Sequence, residues 1–243
     1  MSTKSQSAIL ADRYLDVMLG DPTGLLLTLL QSPLLGLGVI GVWSNQNHDG
    51  ESMYFVLCLC AFFMGLVDAA REIVKERSLF LREKMFNLRP GAYLGSKLQV
   101  LAAVVLIQSV ALVAVVHNWI AMHVSMFAVG VFVFLVGLVG VATGLVISAW
   151  VKTADKAMAF VPLVVIPQIL FSDFVIGKNK LSNWTGVAQD VMPVEWAYMA
   201  LVELRKSSSL DWGVIFGAPL VLILMVVLAS IGALLALKWA RYA

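Results

Sequence analysis

Charge is what this sequence has least of. Only 13% of its 243 residues are Asp, Glu, Lys or Arg, about half the roughly 25% typical of soluble domains. Hydrophobic residues make up 60% and the mean hydropathy is +0.91, more than a water-facing surface tolerates, so a soluble globular fold is excluded. Cysteine is nearly absent. Cys58 and Cys60 share one apolar run but point to different helix faces, which reads as two small buried residues and not as a disulfide or metal pair. The three histidines, His48, His117 and His123, have no metal-ligand spacing among themselves or with cysteine. No glycine-rich phosphate loop is present: the Gly177-Lys178 pair is followed by Asn179 and lacks the upstream glycine. A serine nucleophile elbow is missing too. The chain is therefore expected to be no enzyme and to hold no cofactor or metal. Nor is a signal peptide expected, because Met1 to Ser7 is polar.

Long apolar runs take the place of these motifs. Segments able to cross about 30 Å of hydrocarbon lie near 22–44, 53–74, 97–120, 125–150, 157–176 and 213–238, which predicts an all-α membrane protein with six transmembrane helices in a single domain, 1–243. Helix-entry chemistry supports the segmentation: Asp21 before Pro22, Ser52 ahead of the second span and Asp211 ahead of the sixth. Residues 1–20 read as an interfacial helix. Leu10, Tyr14 and Val17 form one stripe, Ala11, Leu15 and Met18 the next, and Asp12 and Asp16 a polar edge.

The basic residues are not spread evenly. Lys4, Arg13, Arg71, Lys75, Arg77, Arg82, Lys84, Arg89, Lys97, Lys152, Lys156, Lys238 and Arg241 fall on one side of the spans. Lys178, Lys180, Arg205 and Lys206 fall on the other. By the positive-inside rule both termini are cytoplasmic. Two connections are too large to be turns. Residues 75–92 are highly charged yet contain Leu79, Phe80, Leu81, Met85 and Phe86, predicting a short amphipathic helix stopped by Pro90-Gly91. Residues 177–212, with Trp184, Trp196, Tyr198 and a helix start at Pro193, predict re-entrant helices at the outer interface.

The run Ala69-Ala70-Arg71-Glu72-Ile73-Val74-Lys75-Glu76, then Leu81-Arg82-Glu83-Lys84-Met85, then Tyr93-Leu94-Gly95-Ser96-Lys97 resembles the second-span and coupling-helix signature of type-two ABC exporter permeases, the G-subfamily type especially. Arg13-Tyr14 through Asp21 resembles that family's connecting helix. Ala157-Met158-Ala159 through Ile166-Pro167-Gln168-Ile169-Leu170-Phe171-Ser172 resembles its fifth span, and Met192-Pro193 with Trp196-Ala197-Tyr198 its re-entrant segment. Asp68 and Asp173 depart from the pattern, standing where an amide and a small residue are expected.

The resemblance implies the permease of an ATP-driven exporter that moves an amphipathic, lipid-like or drug-like substrate out of the cytoplasm or inner leaflet of a bacterial inner (plasma) membrane. It implies an ABC ATPase elsewhere that carries ATP and Mg, a second permease copy as a homodimer, and contact with membrane lipid but with no nucleic acid. Glu76, Arg77, Leu79, Phe80, Arg82, Glu83, Lys84 and Met85 would couple to the ATPase, with Leu79, Phe80 and Met85 available for docking. The alternative for that segment is a basic face on anionic lipid.

Intramembrane charge is costly, about 2.5–3.5 kcal/mol at mid-bilayer on insertion scales. Asp68, Arg71 and Glu72 read either as locally paired with one another and Lys75 or as a polar relay from the coupling helix to a cavity. Pro162 and Pro167 bend the fifth span or line a substrate path; Phe171 and Asp173 lie at its outer rim, where a gate or a re-entrant contact fits. Gly140-Val141-Ala142-Thr143-Gly144 has the small-xxx-small spacing of close helix packing. Two rivals remain: a proton-coupled secondary transporter working through Asp68, Asp173 or His117, and an intramembrane enzyme.

Overall fold

The computed structural model describes residues 6–45, 49–176, 183–206 and 210–239. Lys4, His48, Lys178, Lys180 and Arg241 of the sequence reading lie outside these residues. Helix α1 (Gln6–Leu19) is followed by α2 (Pro22–Trp43), α3 (Glu51–Ala70), a 3-10 turn at Val74–Glu76, α4 (Arg77–Met85), α5 (Pro90–His117) and α6 (Met126–Trp150). The chain continues through α7 (Ala154–Leu170), α8 (Asp173–Ile176), α9 (Asn183–Asp190), α10 (Pro193–Arg205) and α11 (Trp212–Trp239). No strand occurs among the described residues, and the protein is an all-α membrane protein.

Helix starts follow local chemistry. Asp21 Oδ1 accepts the Gly24 N–H at 3.0 Å with Pro22 in the first turn, and Asp211 Oδ1 accepts the Gly213 N–H at 2.9 Å ahead of α11. Pro193 opens α10. Ser52 does not cap α3: the cap is Gly50, and Ser52 Oγ instead accepts the Trp43 indole N–H at 3.2 Å, closing the α2–α3 connection.

Helices α2, α5, α6, α11 and the run from Glu51 to Met85 that begins with α3 are long and apolar enough to cross a membrane. The expected fifth span, 157–176, is not one helix. Helix α7 has 17 residues, a rise of about 26 Å, and ends at Leu170; the chain turns at Phe171 and Ser172 before α8. Two prolines inside α7 remove backbone donors.

The core is built around α3, which packs most extensively on α6. A Cβ on Gly140 would lie 2.3 Å from the Phe62 carbonyl oxygen, and one on Gly65 would lie 2.1 Å from that of Gly137. Only glycine permits this backbone-to-backbone seam, as the small-residue spacing anticipated. Helix α10 lays Val194, Ala197, Ala200 and Leu201 into the same core.

The amphipathic segment ends earlier than expected. Helix α4 stops at Met85, Asn87 takes a left-handed backbone (φ 67°) that asparagine tolerates, and Pro90 starts α5. In α1 the buried stripe is Leu10, Ala11 and Tyr14, packed on α5, while Leu15 and Val17 are exposed.

Candidate functional site

At the Lys/Arg-rich end of the bundle, α4 forms an elbow fixed to four other helices. Arg77 Nη1 donates to the Ala149 and Val151 carbonyl oxygens at 3.2 and 2.9 Å, at the C-terminus of α6. Lys84 Nζ donates to the Leu237 and Lys238 carbonyls, both at 2.9 Å, at the C-terminus of α11. Each cation satisfies carbonyls that a helix end leaves without intrahelical donors, at the negative pole of the helix dipole. Glu83 receives both terminal nitrogens of Arg13 from α1, at 2.6 and 3.2 Å, a forked geometry that raises the Arg13 pKa chiefly through that hydrogen bond. Phe80 packs on Tyr93 of α5 with ring centroids 4.8 Å apart.

This corrects the sequence reading of the docking face. Phe80 is 1% exposed and belongs to the chain's own core, and Arg77, Glu83 and Lys84 face inward as ties. Leu79 is half-buried. Arg82, Met85 (66% exposed) and Phe86 (80% exposed) are among the residues that point away from the bundle.

Behind the elbow lies a charged cluster organised by Lys97, whose place in the site the sequence did not reveal. Lys97 is 2% exposed. Its Nζ lies 2.8 Å from Glu76 and 3.4 Å from Glu72, and 3.5 Å from the centroid of the Tyr14 ring. Glu72 also accepts the Tyr14 hydroxyl and the Lys75 ammonium, while the Tyr93 hydroxyl reaches Glu76 at 3.2 Å. Burial first, then the charge of Glu72, pushes the Tyr14 phenol well above its ordinary value. Beyond the end of α3, the Ile73 and Val74 N–H groups donate to Ser148 Oγ at 2.9 and 3.0 Å, so the break into the elbow leaves neither donor orphaned.

Asp68, one turn earlier, makes none of the local pairs expected. Its carboxylate accepts Gln31 Nε2 of α2 at 2.7 Å and Gln108 Nε2 of α5 at 2.9 Å. No hydrogen bond joins Asp68 directly to Arg71, Glu72 or Lys75 among the described residues. Instead Asp68, Arg71 and Glu72 share the wall of a cavity of about 540 Å³ between α1, α2 and α3, which Tyr14, Thr28 and Gln31 also line.

The opposite end carries two further sites. Asp173 at the start of α8 donates its backbone N–H to Glu195 of α10 at 3.2 Å, and Phe174 stacks on Phe55 at 5.4 Å, a re-entrant contact of the kind expected. Asp173 also lines a smaller cavity of about 270 Å³ with Glu51, Tyr198 and Glu203. Pro162, Pro167 and Phe171 line neither of the two cavities. Nearby, the buried Asp49 carboxylate accepts the Tyr54 hydroxyl, the His123 backbone N–H at 2.9 Å and a contact from His123 Nδ1, with Arg205 Nε at 3.4 Å. It latches the α2–α3 and α5–α6 connections to the end of α10. Among the described residues no group of His, Cys, Asp and Glu could hold a metal ion.

An apolar helical bundle with several helices long enough to cross a membrane defines a multi-pass membrane domain. Residues 5–204 match the family described as ABC-2 type transporter, and the chain belongs to that family: it is the membrane permease domain of an ABC transporter. It is 24% identical over 177 residues to the ABC transporter ATP-binding/permease protein Rv1747 of Mycobacterium tuberculosis. That similarity covers 68% of this chain and 20% of the relative, so the chain spans about a fifth of that protein's length.

Proposed function

We propose that this permease works in an ATP-driven exporter, with six spans, both termini cytoplasmic and α4 as the element that takes up closure of an ABC ATPase. ATP and Mg would be held by that ATPase, two copies of the permease would form the pathway, and an amphipathic substrate would leave the cytoplasm or inner leaflet. The observation that carries this reading is the set of ties on α4: one nine-residue helix is bonded to the ends of α6 and α11 and to α1, and is packed on α5. A push on such a helix displaces four elements together, whereas a lipid-facing linker needs no such ties. Basic residues at the elbow match a cytoplasmic placement.

Arg82, Met85 and Phe86 form the docking edge. Replacing both apolar anchors, Met85→Ala/Phe86→Ala, should weaken ATPase association by on the order of 2–4 kcal/mol while leaving the thermal unfolding midpoint of the permease unchanged. Co-purification of the ATPase and its substrate-stimulated rate measure this. Full association and full stimulation in the double variant would show α4 to be a membrane-surface linker and remove the coupling mechanism.

A further inference from the structure

The cavity beside Asp68 has a property that the coupling reading does not use. Its wall carries the carboxylates of Asp21, Asp68 and Glu72 against the cations of Arg71 and Lys75. Asp21 is occupied as the cap of α2. Glu72 is neutralised by Lys75 and Lys97. Asp68 has no cationic partner: among the described residues its carboxylate is held only by the neutral amides of Gln31 and Gln108.

The orientation of the Gln108 amide is fixed by a second partner. Gln108 Nε2 also donates to the Thr28 carbonyl oxygen at 2.8 Å, an acceptor only, which fixes the NH₂ group toward Asp68. The cost is visible on the other side of the same amide, where Gln108 Oε1 is buried with no hydrogen-bond partner. The fold thus leaves an acceptor unsatisfied in order to present a carboxylate, with both oxygens engaged as acceptors, to the cavity. Two of the roughly four acceptor directions of a carboxylate remain. Apolar surface from Val17, Leu25, Leu27 and Val67 lies in the same wall, and about 540 Å³ is within the usual span of small-molecule sites, roughly 300–1,000 Å³.

We propose that this cavity binds an amphiphile with a positively charged head, its ammonium pairing with Asp68 beside Gln31 and its apolar body lying against the α1–α2–α3 wall. This deepens the transport reading by naming a substrate class, and rests on it only for the claim that the bound molecule is moved. The shared chemistry, a cationic nitrogen on an apolar chain, is met by a free cationic amphiphile and by the head of a zwitterionic lipid.

The test is equilibrium binding of tritiated dodecyltrimethylammonium to the full chain in nanodiscs, with unlabelled dodecyltrimethylammonium, dodecylphosphocholine and dodecanol as competitors. Saturable binding is expected, displaced by the cation at least tenfold more effectively than by dodecanol. Displacement by dodecylphosphocholine as well would point to a lipid head as the natural source; displacement by the cation alone would point to a free amphiphile. Asp68→Asn should weaken binding at least tenfold, while Asp68→Glu and the distant Asp190→Asn retain it. Equal displacement by dodecanol, no saturable binding to the wild type, or undiminished binding in a folded Asp68→Asn chain would overturn the proposal. The competition series needs only the wild type, so it decides even where a variant fails to fold. No ATPase takes part, so the outcome is independent of whether the elbow couples to one.

Discussion

A lysine enclosed by two glutamates inside an apolar bundle is stable only as part of the set. Lys97 neutralises Glu72 and Glu76 while its ammonium lies on the Tyr14 ring, so α1, the elbow and α5 share one charge balance. Lys97→Met leaves the buried carboxylates short of their counter-charge, and breaking such a set by removing one partner costs about 3–5 kcal/mol. A clear fall in the thermal unfolding midpoint is expected in detergent or nanodiscs, and adding Glu72→Gln and Glu76→Gln to the same chain should recover part of it, since the three residues form one coupled unit. If the single variant melts with the wild type, the cluster is not holding these elements together. The sequence showed Lys97 as one more basic residue near the membrane, in a motif with Tyr93. The helical spacing of four places those two on one face, but the convergence of Tyr14, Glu72 and Glu76 on Lys97 depends on how α1 and the elbow pack on α5, which no local spacing encodes. Gln31 and Gln108 were missed for the same reason: each is an isolated amide in an apolar run, and only the meeting of α2, α3 and α5 gives them Asp68.

Among the elements, what local chemistry controls was legible and what distant contacts control was not. The caps at Asp21 and Asp211, the start at Pro193 and the small-residue seam of α6 all stand in the sequence as short-range signals. Helix α4 is shorter than its sequence suggests because Pro90, locally a stop signal, opens the next helix, and Phe80 reads locally as an external anchor because its burial depends on Tyr93, thirteen residues on. The latch at the opposite end was likewise hidden, since Asp49 binds partners from three elements. Its pH behaviour is testable. Burial raises the Asp49 carboxyl, but the hydrogen bonds from Tyr54 and from the His123 backbone and ring outweigh it and hold the group below its ordinary value. A depressed carboxyl stabilises the fold fully above its unfolded value, about pH 4, and loses that contribution as pH falls through the lower folded value. Tyr54, His123 and Arg205 face it, with Glu51 beyond Arg205. Between pH 5 and pH 3 the thermal midpoint of the wild type should therefore drop further than that of Asp49→Asn, which has no carboxylate to titrate. Parallel curves would mean that the latch contributes nothing.

Across the whole molecule, sidedness rests on how the basic residues are distributed and on what two of them do in the structure. Arg77 and Lys84 cap the ends of α6 and α11, so two of the residues behind the charge asymmetry are also ties of the fold, while the positive-inside rule makes their end the expected cytoplasmic one. Single cysteines in a chain with Cys58 and Cys60 replaced by alanine would report it. Arg82 on α4 is exposed, and Val187 on α9 is 66% exposed at the opposite end, so neither substitution disturbs the packed core. A membrane-impermeant maleimide applied to intact cells should label Val187→Cys and leave Arg82→Cys untouched until the membrane is permeabilised. The reverse pattern would put the elbow outside the cell, where no ATPase could drive it. The transport mechanism would then have to be rebuilt on the acidic end, around Asp173 and Glu195.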